Sequence, residues 1–84
     1  MARRHETLDD LLRPILDTDT FTAWCLRDAG LRPWTVLRLR QGQGRAHRGT
    51  VLALEAGLRL AGIRATEKRI RAAIDASRAA AKSA

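Results

Sequence analysis

Arginine dominates the reactive chemistry of this chain. Residues 31–54 hold five of them, Arg32, Arg38, Arg40, Arg45 and Arg48, and no acid at all. A guanidinium is always charged and presents five N–H donors in a planar fork. That fork matches a phosphate, a carboxylate or the edge of a guanine. Arg38 comes four residues after Trp34 and three after Thr35, so on a helix the three share one face. The flanking stretches are different in kind. Residues 1–30 contain four Arg and six acids; residues 55–84 contain seven basic groups and three acids. The whole chain carries a net charge of +7. A basic segment with so sharp a boundary is the electrostatic footprint of a polyanionic partner. The bland alternative is arginine scattered over every solvated face, and it leaves the acid gap unexplained.

Other chemistries find little support. The single Cys25 excludes an internal disulfide and a Cys-based zinc site. It is expected to act as a small buried apolar residue. His5 and His47 lie too far apart in sequence to imply a metal pair, so neither a metal nor another cofactor is expected. No Ser/His/Asp set has a convincing spacing. A chain of 84 residues also leaves little room for a deep pocket, so an enzyme is not expected. The Gly42-Gln43-Gly44 run is no nucleotide-binding loop, because no strand precedes it. No signal peptide is visible, and no apolar run approaches the ~18 residues of a membrane span. A cytoplasmic protein without membrane contact is the expectation.

The elements that must position these arginines can be read from local signals. At 45% apolar and 30% charged, with few aromatics, the composition predicts one small all-helical domain over 1–84. Thr7-Leu8-Asp9-Asp10 has the spacing of a capping box and starts a first helix near Leu8. Leu8, Leu11, Leu12, Ile15 and Leu16 form its buried stripe, and Pro14 must either kink or break it. One cap from the Asp17–Thr20 cluster starts a second helix that runs to about Ala29, with Phe21, Trp24, Cys25 and Leu26 on its apolar side. Gly30 suits a left-handed helix end, and Pro33 suits the first turn of the next helix, Pro33 to Gln41. There Val36, Leu37 and Leu39 should face inward at least in part, and Arg40 should be merely solvated. Two helices joined by a tight turn, the second bearing arginine, form the helix-turn-helix pattern.

After a loop over 42–49, Thr50 is the expected N-cap of a fourth and central helix, built on Val51, Leu54 and Leu58 with Leu52 and Leu60 beside them. Gly57 inside it implies a close helix–helix approach, since it costs about 1 kcal/mol relative to Ala. Gly62 ends that helix, and Thr66-Glu67 starts a fifth. Its stripe is Ile70, Ala73, Ile74 and Ser77, with Lys68, Arg69, Arg71 and Arg78 around it. The ends, 1–6 and 79–84, are expected to fray, leaving Arg3 and Arg4 free to reach a phosphate.

From Phe21 to Leu60, about half the chain, the sequence resembles the Cro/lambda-repressor type of helix-turn-helix domain, the Xre-like family. The residues that carry the likeness are Cys25-Leu26, Gly30, Thr35-Val36-Leu37-Arg38-Leu39-Arg40-Gln41-Gly42, then Thr50-Val51, Leu54 and Leu58. The chain departs from the family pattern at Leu26 and Glu55, where Ala is usual, and at Arg59, where Gly is usual. Leu26 would hold two crossing helices further apart or shifted.

The resemblance implies a lambda-repressor-like bundle of about five helices that binds double-stranded DNA as a homodimer. It implies that Arg32, Trp34, Thr35 and Arg38 reach base edges in the major groove, where Arg pairs bidentately with guanine. Trp34 has an equal claim as a core or dimer-interface residue. Thr22 corresponds to a phosphate contact at a helix start. Gln41, Gln43, Arg45, His47 and Arg48 would meet the DNA backbone. The resulting expectation is a sequence-specific transcriptional regulator, a repressor of phage, plasmid or antitoxin type. That leaves room for a protein partner, a toxin or co-regulator. The fifth helix, through Ile70 and Ile74, is the expected dimer interface. Two alternatives stay open: a protein–protein module using the fourth and fifth helices, and a non-specific nucleic-acid binder acting through charge alone.

Overall fold

The computed structural model describes residues 5–16 and 18–83. Its first element shows how local chemistry sets a boundary. Thr7 Oγ1 accepts the Asp10 N–H at 3.2 Å, and Asp10 Oδ2 accepts the Thr7 N–H at 3.0 Å. This reciprocal box satisfies two otherwise orphaned donors and starts α1, Leu8–Leu12. Pro14 then breaks the helix. The chain tightens into a 3₁₀ turn, Arg13–Ile15, in which the missing proline N–H is tolerated near the start. Arg3 and Arg4, and the cap candidate Asp17, lie outside the described residues.

Helix α2, Thr18–Ala23, continues without a break as a π-helical segment, Trp24–Ala29. Gly30 closes it with φ +66°, and its N–H and that of Leu31 both point to the Cys25 carbonyl, the latter at 2.8 Å. In a π turn the face returns after five residues rather than four. Ala29 therefore stacks with Trp24 on the buried side, beside Cys25. Leu26 turns away and is 60% exposed. This corrects two expectations at once: Leu26 neither joins the core nor spaces the helix crossing.

Helix α3 is Pro33–Arg40, with Val36 and Leu39 buried and Leu37 half-buried. Gln41 is its terminal cap, and Gly42 leaves it with φ +77°. Helix α4, Arg48–Leu60, begins two residues before Thr50; His47 holds the cap position without a side-chain hydrogen bond. Thr50 is thus a first-turn residue and not the N-cap. Helix α5, Glu67–Ser83, starts where Thr66 Oγ1 accepts the Arg69 N–H at 3.2 Å. It does not fray at Ala79. A Cβ placed on Gly42 would lie 2.6 Å from Ala81 Cβ, so the loop after α3 rests directly on this last stretch.

The fold is all-α: five α-helices and no strand among the described residues. Val51, Leu54 and Leu58 of α4 are fully buried between the π segment and α5. The crossing with the π segment is close because Gly57 has no side chain. A Cβ there would meet Ala29 Cα and Cβ at 2.9 Å. On the other side, α1 packs on α5, and the Leu8 N–H donates to Ser77 Oγ at 2.8 Å across 69 residues. Ile70 and Ile74 are 0% and 5% exposed and belong to this core. They cannot form the dimer interface expected of them, because the monomer already covers them. No helix of the described residues is long and apolar enough to cross a membrane.

Candidate nucleic-acid interface

Helix α3 is held by its apolar side, and that fixes what its other side presents. With Val36 and Leu39 in the core, Arg32, Trp34 and Arg38 are exposed and Thr35 is half-buried. Trp34 is 64% exposed, so it is not a core residue. Its indole borders a groove of about 510 Å³ with Phe21, Thr22, Pro33 and Leu37. Thr22 is exposed there, in the second turn of α2. It is therefore not at a helix N-terminus as expected, and no free terminal amide adjoins its hydroxyl.

Arg40 is not simply solvated. Its Nε lies 2.6 Å from Asp9 Oδ1, and its Cζ sits 5.3 Å above the centre of the Phe21 ring. A carboxylate and an aromatic face together hold a guanidinium that is only partly exposed. Arg40 ties α3 to α1 and α2 and leaves the free basic set. Cys25 is buried close by, and desolvation pushes its thiol up to about 11 against a partial opposing pull from Arg40. It is an inert core residue, as its type suggested.

Gln43, Arg45 and His47 of the loop are exposed, as are Gln41, the cap of α3, and Arg48, which the structure places in the first turn of α4 and not in the loop. Ala46 anchors it against the core. The Gln43 N–H donates to the Arg38 carbonyl at 2.8 Å, so the loop turns back over the end of α3. The guanidinium of Arg38 lies 4.0 Å from where a Gly44 Cβ would be. From α5, Arg78 Nη2 donates to the Gly44 carbonyl at 2.6 Å. Arg78 was not among the expected site residues. The sequence placed it only on the polar side of α5, and 34 residues separate it from Gly44.

The ion pairs sort the arginines. Glu6, Asp9, Asp10 and Asp28 engage Arg69, Arg40, Arg13 and Arg27. Glu67 is shared by Arg71 at 3.2 Å and Arg48 at 3.8 Å. Hydrogen bonding from Arg69 holds the Glu6 carboxyl below its ordinary value. Among the described residues, none of Arg32, Arg38, Arg45 and Arg78 has an ion pair. The structure thus brings Arg38, Arg45 and Arg78 to one loop, leaves Arg32 and Trp34 at the far end of α3, and half-neutralises Arg48. No group of three His, Cys, Asp or Glu among the described residues could hold a metal ion.

No protein-family model, curated protein or solved structure matches this chain.

Proposed function

We propose that this chain is a sequence-specific double-stranded DNA-binding transcriptional regulator of the Cro/lambda-repressor (Xre-like) kind, acting as a homodimeric repressor of phage, plasmid or antitoxin type. Helix α3 lies in the major groove, with Arg32, Trp34, Thr35 and Arg38 toward the bases. Gln41, Gln43, Arg45, His47 and Arg48 follow the phosphates, and Thr22, without a helix terminus behind it, offers only its exposed hydroxyl. One observation carries this reading: α3 and its loop expose guanidinium groups that no carboxylate of the described residues neutralises. Exposed arginines without a carboxylate partner give this surface a positive potential that attracts a polyanion. A helix that fits the major groove then places Arg38 where bidentate pairing with guanine is available.

The test is selection of bound sites from random duplex DNA, followed by competition with unselected duplex. A specific regulator enriches one motif, palindromic for a symmetric dimer, and prefers it by ~10³ or more. A bound pool without an enriched motif would reduce the reading to charge-driven binding. The protein–protein alternative has its own observation. Leu52 and Leu60 are 40% and 70% exposed and flank exposed Ala56 at helical spacing on α4. It becomes the better reading if no duplex is retained at low salt.

A further inference from the structure

We propose that α5 takes part in binding: Arg78 and Arg71 of α5, with Arg45 of the loop, form a seat for one DNA backbone phosphate. The inference rests on the DNA-binding reading above and extends it to a helix to which that reading gives no role.

The seat is a cavity of about 240 Å³ between the loop and α5, lined by Arg45, Ala46, Arg71, Ile74, Asp75 and Arg78. Three arginines and one aspartate line it. Arg78 uses one N–H on the Gly44 carbonyl. A carbonyl is neutral, so the charge of Arg78 is undiminished, and among the described residues no ion pair engages its other donors. Arg45 has no ion pair among the described residues, and Arg71 shares its only carboxylate with Arg48. Ala46 and Ile74 are the apolar part of the cavity lining and join it to the core.

Phosphate suits this arrangement better than a protein carboxylate does. A backbone phosphodiester carries its charge on two non-bridging oxygens set tetrahedrally about phosphorus, so arginines from the loop and from α5 can reach it from different directions, whereas the two oxygens of a carboxylate lie in one plane and suit one fork bidentately. Position favours the same partner. Gly44 has the Arg38 guanidinium beside it and Arg78 on its carbonyl, so the seat is continuous with the exposed side of α3. A duplex engaged by Arg38 brings its sugar–phosphate backbone to the rim of that surface.

The experiment measures binding of a labelled duplex of unselected sequence over a range of NaCl concentrations. The proteins are the wild type, Arg71→Gln, Arg78→Gln, Arg78→Lys and a distant control, Arg59→Gln. Each phosphate contact contributes about 0.9 to the log–log salt slope. Arg71→Gln and Arg78→Gln each open the seat, and each is expected to make the slope shallower by up to about 0.9, the share of its single phosphate. Arg78→Lys restores it, and Arg59→Gln leaves it unchanged. The inference is overturned if the wild type shows a steep slope that both glutamine variants keep, even where Arg78→Gln binds more weakly; Arg78 then only positions the loop. A flat slope in the wild type overturns the DNA reading itself, a separate failure. If Arg78→Gln does not fold, Arg71→Gln decides, because Arg71 is exposed and, among the described residues, hydrogen-bonds to Glu67 alone.

Discussion

The indole N–H of Trp24 donates to the main-chain carbonyl of Gly57 at 2.8 Å, inside the core. The same glycine has no space for a methyl group: a Cβ would lie 2.9 Å from Ala29 Cα and 3.0 Å from Trp24 Cζ2. Gly57→Ala therefore sets helix propensity against packing. Propensity gains about 1 kcal/mol, while overpacking backbone against backbone costs about 1–3 kcal/mol and also strains the indole bond. A net loss of stability is expected in urea unfolding. Gly49→Ala, in the first turn of α4 with nothing within 4 Å, is expected to gain roughly 0.5–1 kcal/mol. Equal signs for the two variants would contradict the close crossing.

Ser77 is the buried polar residue of the core, and its hydroxyl takes the Leu8 N–H at 2.8 Å. Ser77→Ala leaves that donor unsatisfied at the start of α1, a cost of about 1–3 kcal/mol. Hydrogen exchange at the Leu8 amide should accelerate with it. Unchanged protection there would mean that the bond does not persist in solution.

Ile74 is 5% exposed and packed in the core. Ile74→Asp is expected to destabilise the chain by removing an apolar side chain from the core, not to yield a folded monomer from a dimer. Circular dichroism and sedimentation on one sample separate the outcomes. A well-folded variant of altered oligomeric state would return Ile74 to the interface role.

On the proposed function, Arg38, Arg40 and Arg45 should fail in three different ways. Arg38→Ala is expected to cost about 1–3 kcal/mol on the preferred site and to relax preference at one base pair. Arg45→Ala should weaken all sequences alike and reduce the salt slope by about one. Arg40→Ala loses the Asp9 pair and the Phe21 contact, so it should lower stability and keep base preference. Binding to single-base variants of the selected site distinguishes them. If Arg38→Ala weakens every sequence equally, Arg38 meets phosphate only.

Burial pushes the Cys25 thiol from 9.0 up to about 11. The folded state therefore holds the proton more tightly than the unfolded chain does. That contribution to stability is complete below pH 9.0 and is lost as pH rises toward about 11. Urea midpoints across this window should fall more steeply for the wild type than for Cys25→Ala. Parallel profiles would show that the thiol is hydrated in the folded protein.

Several helix ends and much of the core were legible because their signals act over three or four residues, whereas Thr50 and Ala79, read in the same way, do not bound α4 and α5. The Thr7–Asp10 box, Gly30, Pro33 and the Thr66 cap lie where the sequence pattern places them. Leu8, Leu54, Leu58 and Ile70 are buried as their spacing implies. The acid-free stretch was likewise a property of the sequence alone. What local pattern could not supply were choices made by packing. The π winding of Trp24–Ala29 turns Leu26 outward because Trp24 and Ala29 must both meet Gly57. Arg40 leaves the basic set because α3 docks beside Asp9, 31 residues earlier. Arg78 enters it because Gly42 brings the loop onto α5, and nothing in the residues around Arg78 distinguishes it from the other cations of that helix. Periodicity marks a side chain as apolar or polar in its own helix. Which distant group it meets is decided only when the helices close on one another.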